Sequence, residues 1–330
     1  MTGTINGKPV QFMTNQTILT VARENGHFIP TLCELADIDH TPGTCRMCLV
    51  EVSRPDWDAP QLLTACDTPM EDGMSIRTRT REVRARQRLQ MELLLADHNQ
   101  DCASCIRHGD CELQDIAQFV GLQETRYSDP EFFVGRTVDE SGAVVRDMTK
   151  CVRCRRCVAV CREVQGTDIL VLTGTGLDAE IGVRDAVVLG SSDCVACGQC
   201  TLVCPTGALA ERDDIEQVID HFYDPDIFTV VQIAPATRIA LGEEFRLPAG
   251  ANVEGKLITA LRQLGADAVL DTNFTADLVV MEEGTELLQR IRGGGTLPMF
   301  TSCSPGWVTW LEKNHPELLD HLSTVKSPQQ

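Results

Sequence analysis

The pattern Cys-x-x-Cys-x-x-Cys-x-x-x-Cys occurs twice, over Cys151, Cys154, Cys157 and Cys161 and again over Cys194, Cys197, Cys200 and Cys204. Between Asp139 and Arg212 there is little apolar periodicity around these runs, as expected of a small module whose core is partly inorganic. A run of this spacing holds three thiolates at the corners of a cubane on one tight loop, and its fourth cysteine leaves on a following helix to reach the other cluster of a pair. The two runs therefore predict two [4Fe-4S] clusters. On the crossed scheme Cys151, Cys154 and Cys157 act with Cys204, and Cys194, Cys197 and Cys200 with Cys161. Pro205 follows Cys204 as the pattern prefers, whereas Arg162 stands after Cys161, a departure that bears on helix entry more than on ligation. The alternative is a pair of zinc ribbons, which use separated Cys-x-x-Cys knuckles without the third cysteine.

The 330 residues contain sixteen cysteines, and the remaining eight are also grouped apart from Cys303. No apolar run approaches bilayer length and MTGTINGKPVQF lacks signal-peptide blocks, so a soluble, cytoplasmic protein is expected. That compartment keeps thiols reduced, which favours metal binding over disulfides. Cys33, Cys45, Cys48 and Cys66 supply four thiolates, enough for a [2Fe-2S] cluster, and TPGTCRMC gives a glycine-containing loop whose N–H groups can approach sulfide. Zinc is the competing reading there. Cys102, Cys105 and Cys111 are one ligand short of a cubane. His98 completes the set as His-x3-Cys-x2-Cys-x5-Cys, and with it sixteen ligands serve four clusters, leaving only Cys303 over. Neutral imidazole in place of thiolate makes a cluster less negative and raises its potential, as in Rieske centres.

Four segments follow: 1–80, a small mixed sheet with one helix from TILTVARENG; 81–138, opened by a helix from Arg79 that delivers His98 toward Cys102; 139–212, the paired runs; and 226–330, an α/β region. In the last, FTVVQIAPA and ADAVLDT read as buried strands, VEGKLITALRQLG and TELLQRIRGGG as helices ending at glycine. A net charge of -19 repels polyanions and argues against nucleic acid or an anionic membrane. Arg46, Arg107, Lys150, Arg153, Arg155, Arg156 and Arg162 nevertheless crowd the ligands, either offsetting cluster charge or forming a solvated basic face.

No nucleotide site emerges. GTGLDA, Gly174–Ala179, has the letters of a dinucleotide fingerprint but lies between the two cysteine runs and reads as a loop; Gly293, Gly294 and Gly295 end a helix rather than precede one. No paired-carboxylate or Ser-His-Asp arrangement is defensible, so no catalytic residues are assigned. Electrons from NADH must enter through a partner.

The order CRMC, then DHNQDCASCIRHGDCELQ, then the paired runs resembles the N-terminal electron-transfer region of multisubunit iron-only hydrogenases, with its earlier part shared by the large peripheral subunit of respiratory complex I. The tail, from VVQIAPATRIALGEEF to FTSCSPGWV, resembles the start of the hydrogenase catalytic domain. The resemblance implies an α+β multidomain chain: a β-grasp [2Fe-2S] ferredoxin-like domain, a small cluster domain with one histidine and three cysteines, a bacterial 2[4Fe-4S] ferredoxin-like domain and a partial α/β hydrogenase-like domain. It implies one [2Fe-2S] and three [4Fe-4S] clusters. FMN and NAD(P) would sit on partner subunits, one flavin-binding and one thioredoxin-like with its own [2Fe-2S] cluster, with ferredoxin as a further partner. In the family motif TSCCP the first cysteine is associated with proton transfer and the second ligates the active-site cubane. Here Cys303 matches the first and Ser304, a poor iron ligand, replaces the second. The implied role is electron wiring in an electron-bifurcating complex, with an active split or truncated hydrogenase as the alternative. Cys303 itself is then expected to be a small buried hydrophobe at a strand end.

Overall fold

The N-terminal alternation folds into strands β1 (Thr2–Ile5) and β2 (Lys8–Gln11), joined through Asn6 and Gly7, both at positive φ as a tight hairpin requires. With β3 (Leu49–Ser53), β4 (Gln61–Thr64) and β5 (Ser75–Arg77) they form a mixed sheet in the order β2-β1-β5-β3-β4, in which β1 and β5 run parallel. Helix α1 (Ile18–Glu24) starts where Thr17 Oγ1 accepts the Thr20 N–H, and its Ile18, Leu19, Val21 and Ala22 share a core with Ile5, Val50, Val52 and Ile76 of the sheet. This computed structural model describes residues 1–127, 133 and 135–330. The chain divides into two compact units, Met1–Arg212 and Asp213–Gln330.

Helix α2 (Arg81–Ala96) is capped by Thr80 and buries Val83, Gln87 and Met91, while Leu93 is exposed. Gln87 belongs inside because its Nε2 donates to the Leu49 carbonyl at 3.1 Å, tying α2 to β3. Helix α3 (Glu112–Phe119) adds Leu113 and Ile116 to a second core holding Leu32, Cys33, Cys45, Met47, Met91, Cys111, Val152 and Cys154. Residues from three cysteine groups therefore pack in one apolar interior.

The paired runs are framed by β6 (Val138–Asp139), β7 (Val144–Asp147) and β10 (Leu209–Glu211), an antiparallel sheet in the order β10-β7-β6, and by the hairpin β8 (Leu170–Thr173) and β9 (Glu180–Val183). GTGLDA is the loop of that hairpin, as expected. Arg146 and Asp139, 1% and 3% exposed, make a buried ion pair between β7 and β6. Short helices α4 (Arg156–Ala159) and α5 (Gln199–Leu202) follow the two loops, and α4 widens into a π-helical turn, Val160–Val164, that carries Cys161.

In the second unit, α6 (Ile215–Tyr223) occupies a stretch that lies between the expected domains. Strands β11 (Val230–Ile233) and β12 (Ala268–Asp271) pair in parallel, and α7 (Thr237–Glu244) and α8 (Glu254–Leu264) connect them. Buried Arg238 fastens this arrangement by pairing with Glu254 and Asp271 at 2.8 Å. The strands exist where expected but are only partly buried: Ile233 is 5% exposed, whereas Val230 is 52% and Leu270 55% exposed. A parallel sheet needs cover on both faces, and among the described residues this one has only two strands. Helix α9 (Thr272–Gly293) begins immediately after β12, much earlier than TELLQRIRGGG suggests, because Asp271 accepts the Asn273 N–H and caps it. It ends where the glycines place its end, at Gly294 with φ 73. Helix α10 (Pro305–Asn314) follows.

Candidate iron-sulfur centres

One cavity is lined by Cys151, Cys154, Cys157 and Cys204 together, with Met148, Ile181 and Leu209 among its apolar walls. In the loop, Arg153 and Arg155 adopt left-handed φ of 53 and 64; in the second run Ala196 and Gly198 repeat this at 51 and 74. This conformation, which costs a non-glycine residue about 1–2 kcal/mol, turns backbone donors toward sulfur. Arg153 N donates to Cys151 Sγ and Ala196 N to Cys194 Sγ, each at 3.4 Å. Ile169 N donates to Cys161 Sγ at 3.3 Å.

Burial, with neighbouring cysteines adding to it, pushes Cys151 up to about 11 and Cys154 and Cys157 higher still. Cys200 is pushed up to about 12 by burial and by Cys194, Cys197 and Cys161, the other three of its crossed set. Such thiols do not ionise together unless a cationic centre compensates them, which is the condition an iron-sulfur core meets. Cys197 is exposed, so the second set lies closer to solvent than the first.

Cys33, Cys45, Cys48 and Cys66 are all buried. Cys48 and Cys66 lie 3.3 Å apart at sulfur, and hydrogen bonds from Cys45 and Cys66 hold Cys33 far below the ordinary thiol range. The same contacts push Cys45 and Cys66 far up. Leu32 N donates to Cys45 Sγ at 3.4 Å and Gly43 N to Cys33 Sγ at 3.3 Å. Gly43 is favoured by its φ of 101. His40 braces the loop, with Nδ1 2.8 Å from the Ile38 carbonyl and Nε2 accepting the Leu35 N–H.

The middle set surrounds a cavity of about 220 Å³ lined by His98, Cys102, Cys105 and Cys111. His98 is 7% exposed, and among the described residues its Nδ1 is buried without a hydrogen-bond partner. Burial lowers its pKa to about 4 even though the ring hydrogen-bonds the Lys150 backbone, so the imidazole is neutral at pH 7. A neutral, buried ring with an unused nitrogen suits a ligand. Gly207 also lines this cavity, and a Cβ there would lie 2.7 Å from Cys105 Sγ. That approach joins residues about a hundred positions apart, and no sequence spacing announces it.

Among the described residues no three His, Cys, Asp or Glu side chains are placed to hold a single metal ion. The basic residues divide: Arg46, Arg155 and Arg162 are exposed, Arg153 pairs with Asp97, and Arg156 is buried. Cys303 corrects the expectation of a buried strand end. It is exposed in an irregular segment, between an isolated bridge, Phe300 with Leu322, and the helix that starts at Pro305, so no strand forms there to bury it. Among the described residues no helix is long and apolar enough to cross a membrane.

Comparison with known families divides the chain in the same order. Residues 1–81 match a 2Fe-2S iron-sulfur cluster binding domain, 87–126 the NADH-ubiquinone oxidoreductase-G iron-sulfur binding region, 150–208 a 4Fe-4S dicluster domain, and 227–330 the iron only hydrogenase large subunit, C-terminal domain. The chain is 42% identical over 340 residues to the NADP-reducing hydrogenase subunit HndD of Solidesulfovibrio fructosivorans, covering 100% of this chain and 57% of that protein. It is 40% identical over 331 residues to iron hydrogenase 1 of Clostridium pasteurianum, covering 99% of this chain and 56% of that one. It thus spans little more than half the length of these curated relatives. The G 2 polypeptide of the NADH-quinone oxidoreductase of Rhizobium meliloti (strain 1021) is 33% identical over 207 residues, 62% of this chain and 23% of the relative. Among solved structures, a chain of an NAD+-reducing [NiFe]-hydrogenase in the H2-reduced state superposes over 64% of this chain and 87% of its own with a TM-score of 0.58 and 27% identity.

Proposed function

Because the chain belongs with the iron-sulfur proteins that join a cluster region of the NADH-ubiquinone oxidoreductase-G type to an iron-only hydrogenase large-subunit domain, we propose that it is the electron-wiring subunit of a cytoplasmic NAD(P)-linked oxidoreductase complex. The observation that carries this reading is a pair of cavities, one lined by Cys151, Cys154, Cys157 and Cys204 and the other by His98, Cys102, Cys105 and Cys111. Cys33, Cys45, Cys48 and Cys66 would hold a [2Fe-2S] cluster. His98 with Cys102, Cys105 and Cys111 would hold a [4Fe-4S] cluster, as would Cys151, Cys154 and Cys157 with Cys204, and Cys194, Cys197 and Cys200 with Cys161. Bound clusters would supply one-electron storage. The chain's own part is to fix the donors, to aim N–H groups at sulfur and to exclude water through a core shared by three of the sets. The modules are proposed as 1–80, 81–138, 139–212 and 226–330.

The partners that fit are a flavin- and NAD(P)-binding subunit carrying FMN, a thioredoxin-like [2Fe-2S] subunit and ferredoxin, with electron bifurcation among NAD(H), ferredoxin and NADP(H) as the form of the reaction. A flavin partner takes a hydride's two electrons together, and this chain passes them on singly. The test is anaerobic: the cluster-loaded chain, mixed with such partner subunits, is bleached in the visible by NADH or NADPH, and without them it is not. Bleaching without partners, or none with them, contradicts the proposal.

A second reading, a component of an active hydrogenase completed by further polypeptide, is favoured by one observation. The second unit leaves Val230, Leu270, Phe274 and Met281 more than half exposed, and its Cys303 is exposed as well. Hydrogen-dependent viologen reduction that carbon monoxide inhibits would select it.

A further inference from the structure

Arg156 lies between Cys154 and Cys157 in the first turn of α4, where a charged side chain is expected to reach solvent. It is instead 6% exposed. Its Nη1 donates to Glu112 Oε1 at 2.6 Å, and Glu112 directly follows Cys111 and is itself half-exposed. Its Nε is buried and, among the described residues, has no hydrogen-bond partner. A buried guanidinium with one neutralising carboxylate and an idle donor is costly unless further negative charge faces it.

Such charge is close at hand. The Arg156 guanidinium interacts electrostatically with Cys154 of its own run and with Cys33 of the N-terminal set. The two loops are physically joined, since Thr44 Oγ1, beside Cys45, donates to the Cys154 carbonyl at 3.4 Å. Cys33, Cys45 and Cys154 also share one apolar core, where charges are weakly screened. The other arginines near the ligands lack this combination: Arg46, Arg155 and Arg162 are exposed, Arg153 is satisfied by Asp97, and Arg107 is only partly buried and pairs with exposed Asp110.

From this geometry we infer that Arg156 is a shared counter-charge for two sites, the Cys33/Cys45/Cys48/Cys66 set and the Cys151/Cys154/Cys157/Cys204 set, and raises the reduction potentials of both together, with Glu112 opposing it. The inference rests on the cluster reading given above. Each site gains one electron on reduction, becoming more negative by one charge, so a fixed cation nearby favours the reduced form and an anion disfavours it. Arg156 is a positioning and tuning residue that undergoes no chemistry itself. Its consequence is that the two sites are matched by one side chain, while the more exposed Cys194-containing set is not.

The test is an anaerobic redox titration with dithionite on the full, cluster-loaded chain, followed by electron paramagnetic resonance. The cubane of interest is identified as the signal lost in Cys154→Ala. Arg156→Met is expected to shift the [2Fe-2S] signal and that cubane to more negative potential, leaving the Cys194 set in place, while Arg156→Lys shifts them less. Glu112→Gln, a change at a half-exposed position, is expected to move the same two signals the opposite way. Loaded variants in which either signal keeps its potential, or in which all sites shift alike, overturn the inference. Where Arg156→Met fails to load, Glu112→Gln decides alone: an upward shift at both sites supports the inference and no shift refutes it. A wild-type chain that binds no clusters overturns the reading of the thiol sets, and this inference with it.

Discussion

Replacing His98 by alanine is expected to remove one cubane and spare the rest. Its Nδ1 is buried and unused beside Cys102, Cys105 and Cys111. Arg107 Nε, a second buried nitrogen without a partner among the described residues at this cavity, belongs to a guanidinium that stays protonated and cannot ligate iron. Alanine at position 98 leaves three thiols around the cavity and no fourth ligand, so that cluster is lost or degrades to a three-iron form. The other three sets keep their donors. Anaerobic iron and sulfide analysis with electron paramagnetic resonance would register the loss of one cubane's content and signal. His98→Cys is expected to keep the cluster at a more negative potential, since thiolate adds a negative charge that imidazole does not. Full iron content in His98→Ala would remove His98 from the ligand set.

The second large effect is on stability. Asp139 Oδ2 accepts from Arg146 Nε at 3.3 Å and from Leu189 N at 2.7 Å, and its Oδ1 accepts from Ser141 N and Oγ. Arg146 Nη1 donates in turn to the Ile181 carbonyl at 2.5 Å. Burial by itself would raise the Asp139 pKa, but these hydrogen bonds and the Arg146 charge hold it below the usual carboxylate range. The pair thus fastens β6, β7 and β9 around the paired-run module. Asp139→Ala leaves a fully buried guanidinium uncompensated, a change that costs about 3–5 kcal/mol, out of a total of about 5–15 kcal/mol for a typical domain. Anaerobic urea titration of the loaded chain, followed by cluster absorbance, should show a clear fall in midpoint. A midpoint equal to wild type would mean the pair contributes nothing to holding the module.

The candidate donor sets are legible in the sequence because cluster chemistry dictates spacing within a loop. Cys151-x-x-Cys154-x-x-Cys157 can be read without knowing anything else about the fold. His98 is legible through counting, since three cysteines need a fourth partner. What spacing does not encode is who arrives from a distance. Gly207, whose lack of a side chain makes room for Cys105, sits in the chain beside a different set. The burial of Arg156 is equally hidden, because an arginine among arginines reads as surface until the core shared by Cys33, Cys111 and Cys154 is seen.

The second unit shows the complementary limit. Apolar periodicity finds β11, β12, α8 and the end of α9, because helix and strand periods are local properties. Burial is not local. Val230 and Leu270 carry the pattern of a covered sheet, and their exposure reflects what packs on the sheet rather than their own sequence. The same holds for Cys303, where an apolar-looking FTSCSP ends in a helix start rather than a buried strand. Helix α6 falls in the gap between the expected domains, 139–212 and 226–330, although its Ile215, Val218, Ile219 and Phe222 follow helical spacing.

The central claim is that four donor sets hold four clusters of two kinds. Mössbauer spectroscopy of the anaerobically prepared, iron-57-labelled chain tests it most directly, because it counts iron by cluster type whatever the potentials. The account expects one [2Fe-2S] for every three [4Fe-4S] clusters, with one cubane missing from His98→Ala. A spectrum with cubanes from the paired runs alone, or zinc retained in place of iron at the Cys33 or His98 sets, would contradict it.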